Sequence, residues 1–278
     1  PDMKAWLTWL KSSTNAGFDG WRYDYVKGYH SWVVHDMNAS SSPSFSVGEY
    51  FDTNITNVDN WVTGANSSAF DFPLYYTMQV ECNDTTGGGN LANWVSASDC
   101  YAAKNPTRAV TFCANHDTDL IVSDKMMAYA FILTYQGYPC IFWHDYFNDN
   151  LATGGGNGSG WGNGIQQLLW CRQKFAPAPS IQILKTSDPQ VLIYGAGGTS
   201  SSSPGYIVMI NSNSSNWKGY TVTTSDTYLK GKMLKAYAWS STISGDNTDP
   251  VNQSCDSSGN VAVWAAPRGY AVYSVNGF

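Results

Sequence analysis

Apolar residues return at helical spacing near the start of the chain. Trp6, Leu7 and Leu10 share one face of a stretch that Gly17 ends, which predicts a helix over 3–16. Alternation follows over 18–25, where Arg22 and Asp24 face one way and Trp21, Tyr23 and Tyr25 the other, as in a strand. The two rhythms then take turns. Helices are predicted over 27–37, 57–63, from 75, over 91–96, 124–135 and 164–174, and strands over 43–50, 69–72, 108–113 and 138–143. Asp124 is expected to cap the helix it opens. Glycine-rich stretches at 86–90 and 154–160 read as a break and a flexible loop. Strands alternating with helices predict an α/β fold with a parallel sheet.

From about Ile181 the pattern changes. Short runs rich in Val, Ile and Tyr occupy 191–194, 206–211, 218–222, 233–238, 260–265 and 271–275, and Ser- and Gly-rich turns such as 197–205 separate them. This predicts a second, antiparallel β domain over 179–278 behind an α/β domain over 1–178.

Only 13% of residues are charged, against roughly a quarter in ordinary domains. The net charge of −6 argues against a nucleic-acid partner, whose phosphates need a basic face. No apolar stretch is long enough to span a bilayer, so no membrane role is expected. Six cysteines include no CxxC pair, which argues against a zinc ribbon. Cys82 and Cys100 flank a glycine-rich break and could close it, while Cys113 and Cys140 read as buried thiols. Sequons at Asn38, Asn54, Asn66 and Asn83 fit secretion. The 12 Trp and 18 Tyr residues suit either a large core or surfaces that pack on sugar rings.

Three segments place carboxylates at the carboxyl end of a predicted parallel strand: Asp19-Gly20-Trp21-Arg22-Tyr23-Asp24, Val47-Gly48-Glu49 and Asn115-His116-Asp117. Barrel enzymes assemble their sites at that end. Acids of this number, beside an Arg and a His, suit glycosidic cleavage, in which one carboxylate attacks the anomeric carbon and one carboxylic acid protonates the leaving oxygen.

These segments resemble the second, third and fourth conserved segments of the alpha-amylase family of glycoside hydrolases, above all its plant-type members. The runs Ala69-Phe70-Asp71-Phe72-Pro73-Leu74 and Gly137-Tyr138-Pro139-Cys140-Ile141-Phe142 resemble the family's sixth and eighth barrel strands. The likeness covers most of residues 1–175. It implies strands 4 to 8 of a (β/α)8 TIM barrel, followed by a small antiparallel β-sandwich like the family's carboxyl-terminal domain. It also implies that the chain is a fragment, weak or inactive alone, because the first three strands and the first conserved segment are missing.

The resemblance further implies site roles. Asp24 is the expected nucleophile, Glu49 the acid and then the base, and Asp117 the group that steadies the distorted sugar. Arg22, Lys27, His116 and Trp143 are expected substrate contacts, and Asp71 is expected to serve structure. Gly28 would offer its carbonyl to a structural calcium whose other ligands lie mostly in the missing part. The implied substrate is an alpha-1,4-glucan such as starch, glycogen or a maltooligosaccharide, cut with retention by a secreted monomer. Glucanotransferases and debranching enzymes of the family share the triad. A non-catalytic glucan-binding protein would keep the aromatics and lose the acids.

Overall fold

The structure is a computed structural model describing residues 2–153, 164–240 and 250–278, so the glycine-rich loop expected at 154–160 lies outside the described residues. The chain opens with α1 (Asp2–Lys11) and then alternates: β1 (Gly20–Tyr23), α2 (Ser31–Ser41), β2 (Phe45–Gly48), α3 (Ile55–Ala65), β3 (Ser68–Phe70), α4 (Phe72–Asn83), α5 (Tyr101–Lys104), β4 (Ala109–Phe112), α6 (Lys125–Thr134), β5 (Tyr138–Cys140), α7 (Trp143–Phe147) and α8 (Gly164–Phe175). The five strands form one parallel sheet in chain order. The sheet is curled: Phe45 opens β2 and Tyr138 opens β5, three strands away, yet their rings meet at 5.3 Å.

Local chemistry sets several boundaries. The Asn54 side chain accepts the N–H groups of Thr56 and Asn57 and caps α3. Asp71 caps α4 through the Leu74 N–H, with Pro73 in the first turn, so the strand expected over 69–72 stops at Phe70. The strand expected to reach 143 stops at Cys140, and Trp143 begins α7 instead. Asp124 corrects another expectation. It precedes α6 in a left-handed conformation (φ 48°) and makes no capping bond, because its carboxylate pairs with Arg268.

The later part forms a six-stranded antiparallel sheet, in the order β11 (Gln253–Ser254), β10 (Met233–Ser240), β13 (Gly269–Val275), β8 (Ser203–Asn211), β7 (Val191–Ser200), β6 (Ile181–Lys185). A two-stranded sheet of β9 (Lys218–Thr223) and β12 (Asn260–Ala265) lies against it. The turn expected over 197–205 is mostly strand, since β7 runs to Ser200 and β8 resumes at Ser203.

Alternation assigns the two faces of the larger sheet. Val191, Ile193, Ile207, Met209 and Tyr273 enter a core shared with Val222, Val261 and Val263 of the smaller sheet. Leu192, Tyr194, Tyr206, Val208 and Tyr270 face the other way and join the core of α6 and α8. A strand buried on both faces loses the polar half of its pattern, which is why these runs read as continuously apolar. Among the described residues no helix is long and apolar enough to cross a membrane.

All six cysteines are free thiols. The expected Cys82–Cys100 link is therefore not made: Cys100 Sγ sits 4.0 Å from the Asp71 carboxylate. Cys140 is exposed, against the expected burial. The sequon amides have internal work as well. Asn38 Nδ2 donates to Ser46 and Asn83 Nδ2 to the Leu120 carbonyl, so neither can carry a glycan without losing a bond.

Candidate active site

Asp24 and Glu49 each follow the last residue of a parallel strand, β1 and β2. The strands are neighbours in register, with Arg22 opposite Val47 and Tyr23 opposite Gly48, so both acids leave the sheet at the same edge. The Glu49 N–H donates to the Tyr23 carbonyl at 2.9 Å and extends the ladder by one bond. Gly48 is required here, since a Cβ at this position would fall 2.1 Å from the Trp61 ring.

Arg22 joins the two carboxylates. Nη1 is 2.5 Å from Asp24 Oδ1 and Nη2 is 2.8 Å from Glu49 Oε1. The acids differ in setting: the Asp24 side chain is 73% exposed, the Glu49 side chain 6%. The Arg22–Glu49 contact is an ion pair by distance, yet Oε1 has no aligned hydrogen-bond donor. Oε2 accepts the Tyr25 N–H at 3.2 Å. Tyr25 itself holds φ 42°, a left-handed conformation that a bulky residue adopts only when its surroundings require it. A backbone distorted beside two acids that share one arginine makes this corner the candidate site, and no motif in the sequence announces the distortion.

Lys27 reaches across the same end. Its Nζ donates to Asp52 at 3.1 Å and to the Phe51 carbonyl at 3.3 Å, and lies 5.5 Å from the centre of the Tyr50 ring. Burial alone would raise the Asp52 pKa, but the Asn54 N–H, Lys27 and Asn57 outweigh it and hold the carboxyl below the usual range.

His116 and Asp117 follow β4, two strands beyond Glu49, and are exposed with His116 Nε2 3.2 Å from Asp117 Oδ2. Asn115 Oδ1 accepts the N–H groups of Asp117 and Thr118 and folds the turn. Among the described residues no ion pair or hydrogen bond joins Asp117 to Arg22, Asp24 or Glu49. The arrangement joins the first two acids through Arg22 and sets the third at the same end of the sheet. Trp143 follows β5 at that end, 70% exposed, with its ring 4.1 Å from that of Phe147.

Asp71 is fully buried and accepts N–H groups from Leu74, Tyr101 and Ala102, which is structural work. Gly28 ends a short 3-10 turn after β1. The one acidic cluster among the described residues lies elsewhere: Asp119, Asp145 and Asp149 bring carboxyl oxygens within 4.8 Å of one another. The Lys125 ammonium is bonded to two of these acids, at 2.6 and 2.7 Å. A lysine already supplies the positive charge, so this cluster does not fit a resident divalent ion.

A curled parallel sheet with acids beyond the carboxyl ends of three strands, followed by an antiparallel β unit, is compatible with part of a barrel enzyme. No protein-family model matches the chain. The alpha-amylase of Geobacillus stearothermophilus is 33% identical over 162 residues, 52% of this chain and 29% of the relative. The cytoplasmic alpha-amylase of Escherichia coli K12 is 25% identical over 233 residues, 76% of this chain and 45% of the relative. A crystal structure of an Anoxybacillus alpha-amylase superposes with a TM-score of 0.68 at 16% identity, covering 100% of this chain and 64% of that one. The chain is similar to alpha-amylases and spans less than half the length of these curated relatives. Arabidopsis thaliana relatives match at 30%, beside bacterial ones at similar identity, so the likeness is to the family and not to plant-type members in particular.

Proposed function

We propose that residues 1–278 carry the cleaving acids of an endo-acting, retaining alpha-amylase that hydrolyses alpha-1,4-glucosidic bonds in starch, glycogen or maltooligosaccharides. The observation that carries this reading is the single guanidinium of Arg22 bound to both Asp24 and Glu49. One guanidinium spans only a short gap. Retaining enzymes hold their two carboxyls roughly 5–5.5 Å apart, whereas inverting enzymes leave about 6.5–9.5 Å for a water.

The division of labour follows from exposure. Asp24 is open to solvent and free to attack the anomeric carbon, forming a carboxylate ester as the glycosidic C–O bond breaks. Glu49 is buried, with Oε2 held by the Tyr25 N–H and Oε1 lacking an aligned donor. In its acid form it gives a proton to the departing oxygen. It then takes one from the water that opens the ester, and retention results from the two displacements. Asp117 and His116 grip hydroxyls of the sugar under attack, Lys27 meets the leaving-group side, and the exposed Trp143 ring offers a stacking face.

Residues 1–178 form the catalytic part of this reading, strands 4 to 8 of the barrel, and 179–278 the β domain. In this reading the Gly28 carbonyl would help hold a structural calcium, and no step depends on it. Action as a secreted monomer also belongs to the proposal. The Escherichia coli relative is by name cytoplasmic, so secretion needs its own test, by fractionating the source organism.

The deciding experiment uses the full natural polypeptide with maltoheptaose and follows the new reducing ends by proton NMR. The alpha anomer should appear first. Glu49→Gln should lower turnover by about 100-fold or more while binding survives. Initial release of the beta anomer, or undiminished turnover in Glu49→Gln, would overturn the assignment. Pullulan cleavage or glucan transfer in place of hydrolysis would move the chain to a debranching or transferase role.

A further inference from the structure

We propose that Lys125 is a positioning residue for the cleavage site: it locks the loop carrying His116 and Asp117 to the helix carrying Trp143. The inference rests on the glucan-cleaving reading above and adds a residue that none of the motifs contains. Lys125 is the first residue of α6, and its side chain is 12% exposed. Its Nζ donates to Asp119 Oδ1 at 2.6 Å and to Asp145 Oδ1 at 2.7 Å. Asp119 lies two residues past Asp117, and Asp145 lies two residues past Trp143. One ammonium therefore fixes a loop and the neighbouring helix α7 at matching offsets from the side chains that would meet sugar.

The rest of the network supports both ends. Asp145 is fully buried, and its second oxygen accepts the Tyr129 hydroxyl at 2.5 Å. Tyr129 stands four residues after Lys125, on the same face of α6. Its oxygen in turn accepts the N–H of Phe142, the residue before α7, at 3.4 Å. On the other side of the first loop, Asn115 holds the N–H groups of Asp117 and Thr118, and Thr118 Oγ1 bonds the Tyr75 hydroxyl at 2.7 Å. Asp117 is thus held from both flanks, and one flank is Lys125.

Electrostatics gives the lock its force. Asp119, Asp145 and Asp149 cluster within 4.8 Å, and His144 Nδ1 lies 3.3 Å from Asp149. Without the Lys125 ammonium the first two acids repel across the gap between the loops. Displacement of a reacting group by about 1 Å costs on the order of 100-fold in rate, so the separation would be felt in catalysis.

The test compares Lys125→Met, Lys125→Arg and Asp119→Asn in the full natural polypeptide. Amide hydrogen exchange over 115–122 and 142–147 is measured beside maltoheptaose kinetics. Lys125→Met should speed exchange in both segments and lower kcat by roughly 10- to 100-fold, with KM changed by less than about 3-fold. Lys125→Arg should restore most of kcat. Asp119→Asn keeps the Lys125–Asp145 pair, so it should loosen 115–122 alone and cost roughly 3- to 10-fold in kcat; it carries the test if Lys125→Met does not fold. Unchanged exchange over 115–122 in Asp119→Asn, or an undiminished kcat in a variant whose loops have loosened, would overturn the proposal. Absence of cleavage by the unaltered protein would instead sink the functional reading, and the exchange data would still decide whether Lys125 locks the two loops.

Discussion

Two arginines in this molecule do opposite things with the same chemistry. Arg268 lies at the seam between the α/β part and the β domain, 4% exposed. It pairs with Asp124 and donates to the carbonyls of Asp84, Ser212 and Cys82, which uses its donors on groups already in the fold. Arg22 lies at the open end of the parallel sheet, where it meets Asp24 and Glu49 and leaves hydrogen-bonding capacity on both acids. A saturated polar network rigidifies what it joins, whereas the network around Arg22 leaves Glu49 Oε1 without an aligned donor. The difference separates a stability device from a site, although each is an arginine between acids and backbone.

The largest effect on the fold should come from the seam. Arg268→Met removes the ion pair with Asp124 and the donors to the carbonyls of Cys82, Ser212 and Asp84, and breaking a buried pair from one side costs about 3–5 kcal/mol. Urea unfolding should show that loss, with turnover per folded molecule unchanged. A loss under about 1 kcal/mol would mean that water serves the seam as well as the guanidinium does.

Arg22→Met sharpens the contrast from the other side. The variant should lose less stability than Arg268→Met, because Asp24 is largely exposed and the buried Glu49 keeps the Tyr25 N–H. Turnover of maltoheptaose should fall roughly 100- to 1,000-fold, the usual cost of removing one preorganised electrostatic contact. If Arg22→Met destabilised the protein as much as Arg268→Met and spared turnover, the two arginines would be equivalent and the comparison would fail.

Much of this was legible in the chain. Period-two and helical patterns located the elements of the parallel sheet within a few residues, and the acid-bearing segments sat where strands end. Side-chain competition was not legible. Asp124 occupies a capping position, but a guanidinium 144 residues away takes its carboxylate. The segments 197–200 and 203–205 look like turn by composition and are strand, because the antiparallel neighbours impose pairing on Gly197 and Gly205. The left-handed Tyr25 and the Lys125 bridge depend on contacts between loops that no local pattern encodes.

Asp71 gives the smallest effect and the most exacting test of saturation. It is fully buried and accepts three backbone N–H groups, from Leu74, Tyr101 and Ala102. Burial pushes its pKa up, the three N–H groups pull it down, and the balance is about 6 against an ordinary 3.8. With the folded value above the unfolded one, the native state binds more protons between those two pH values. The Asp71 contribution to stability therefore grows as pH falls from 6 to 3.8 and is lost as pH rises through 6, by on the order of 3 kcal/mol across the window. Asp71→Asn stays neutral throughout and lacks one acceptor oxygen, so it should cost about 1–3 kcal/mol with no such pH dependence. The gap in unfolding free energy between the two proteins should widen on acidification from pH 6.5 to 4. If it stays level or narrows, the three N–H groups hold the carboxylate ionised throughout, and Asp71 is as fully saturated as Arg268.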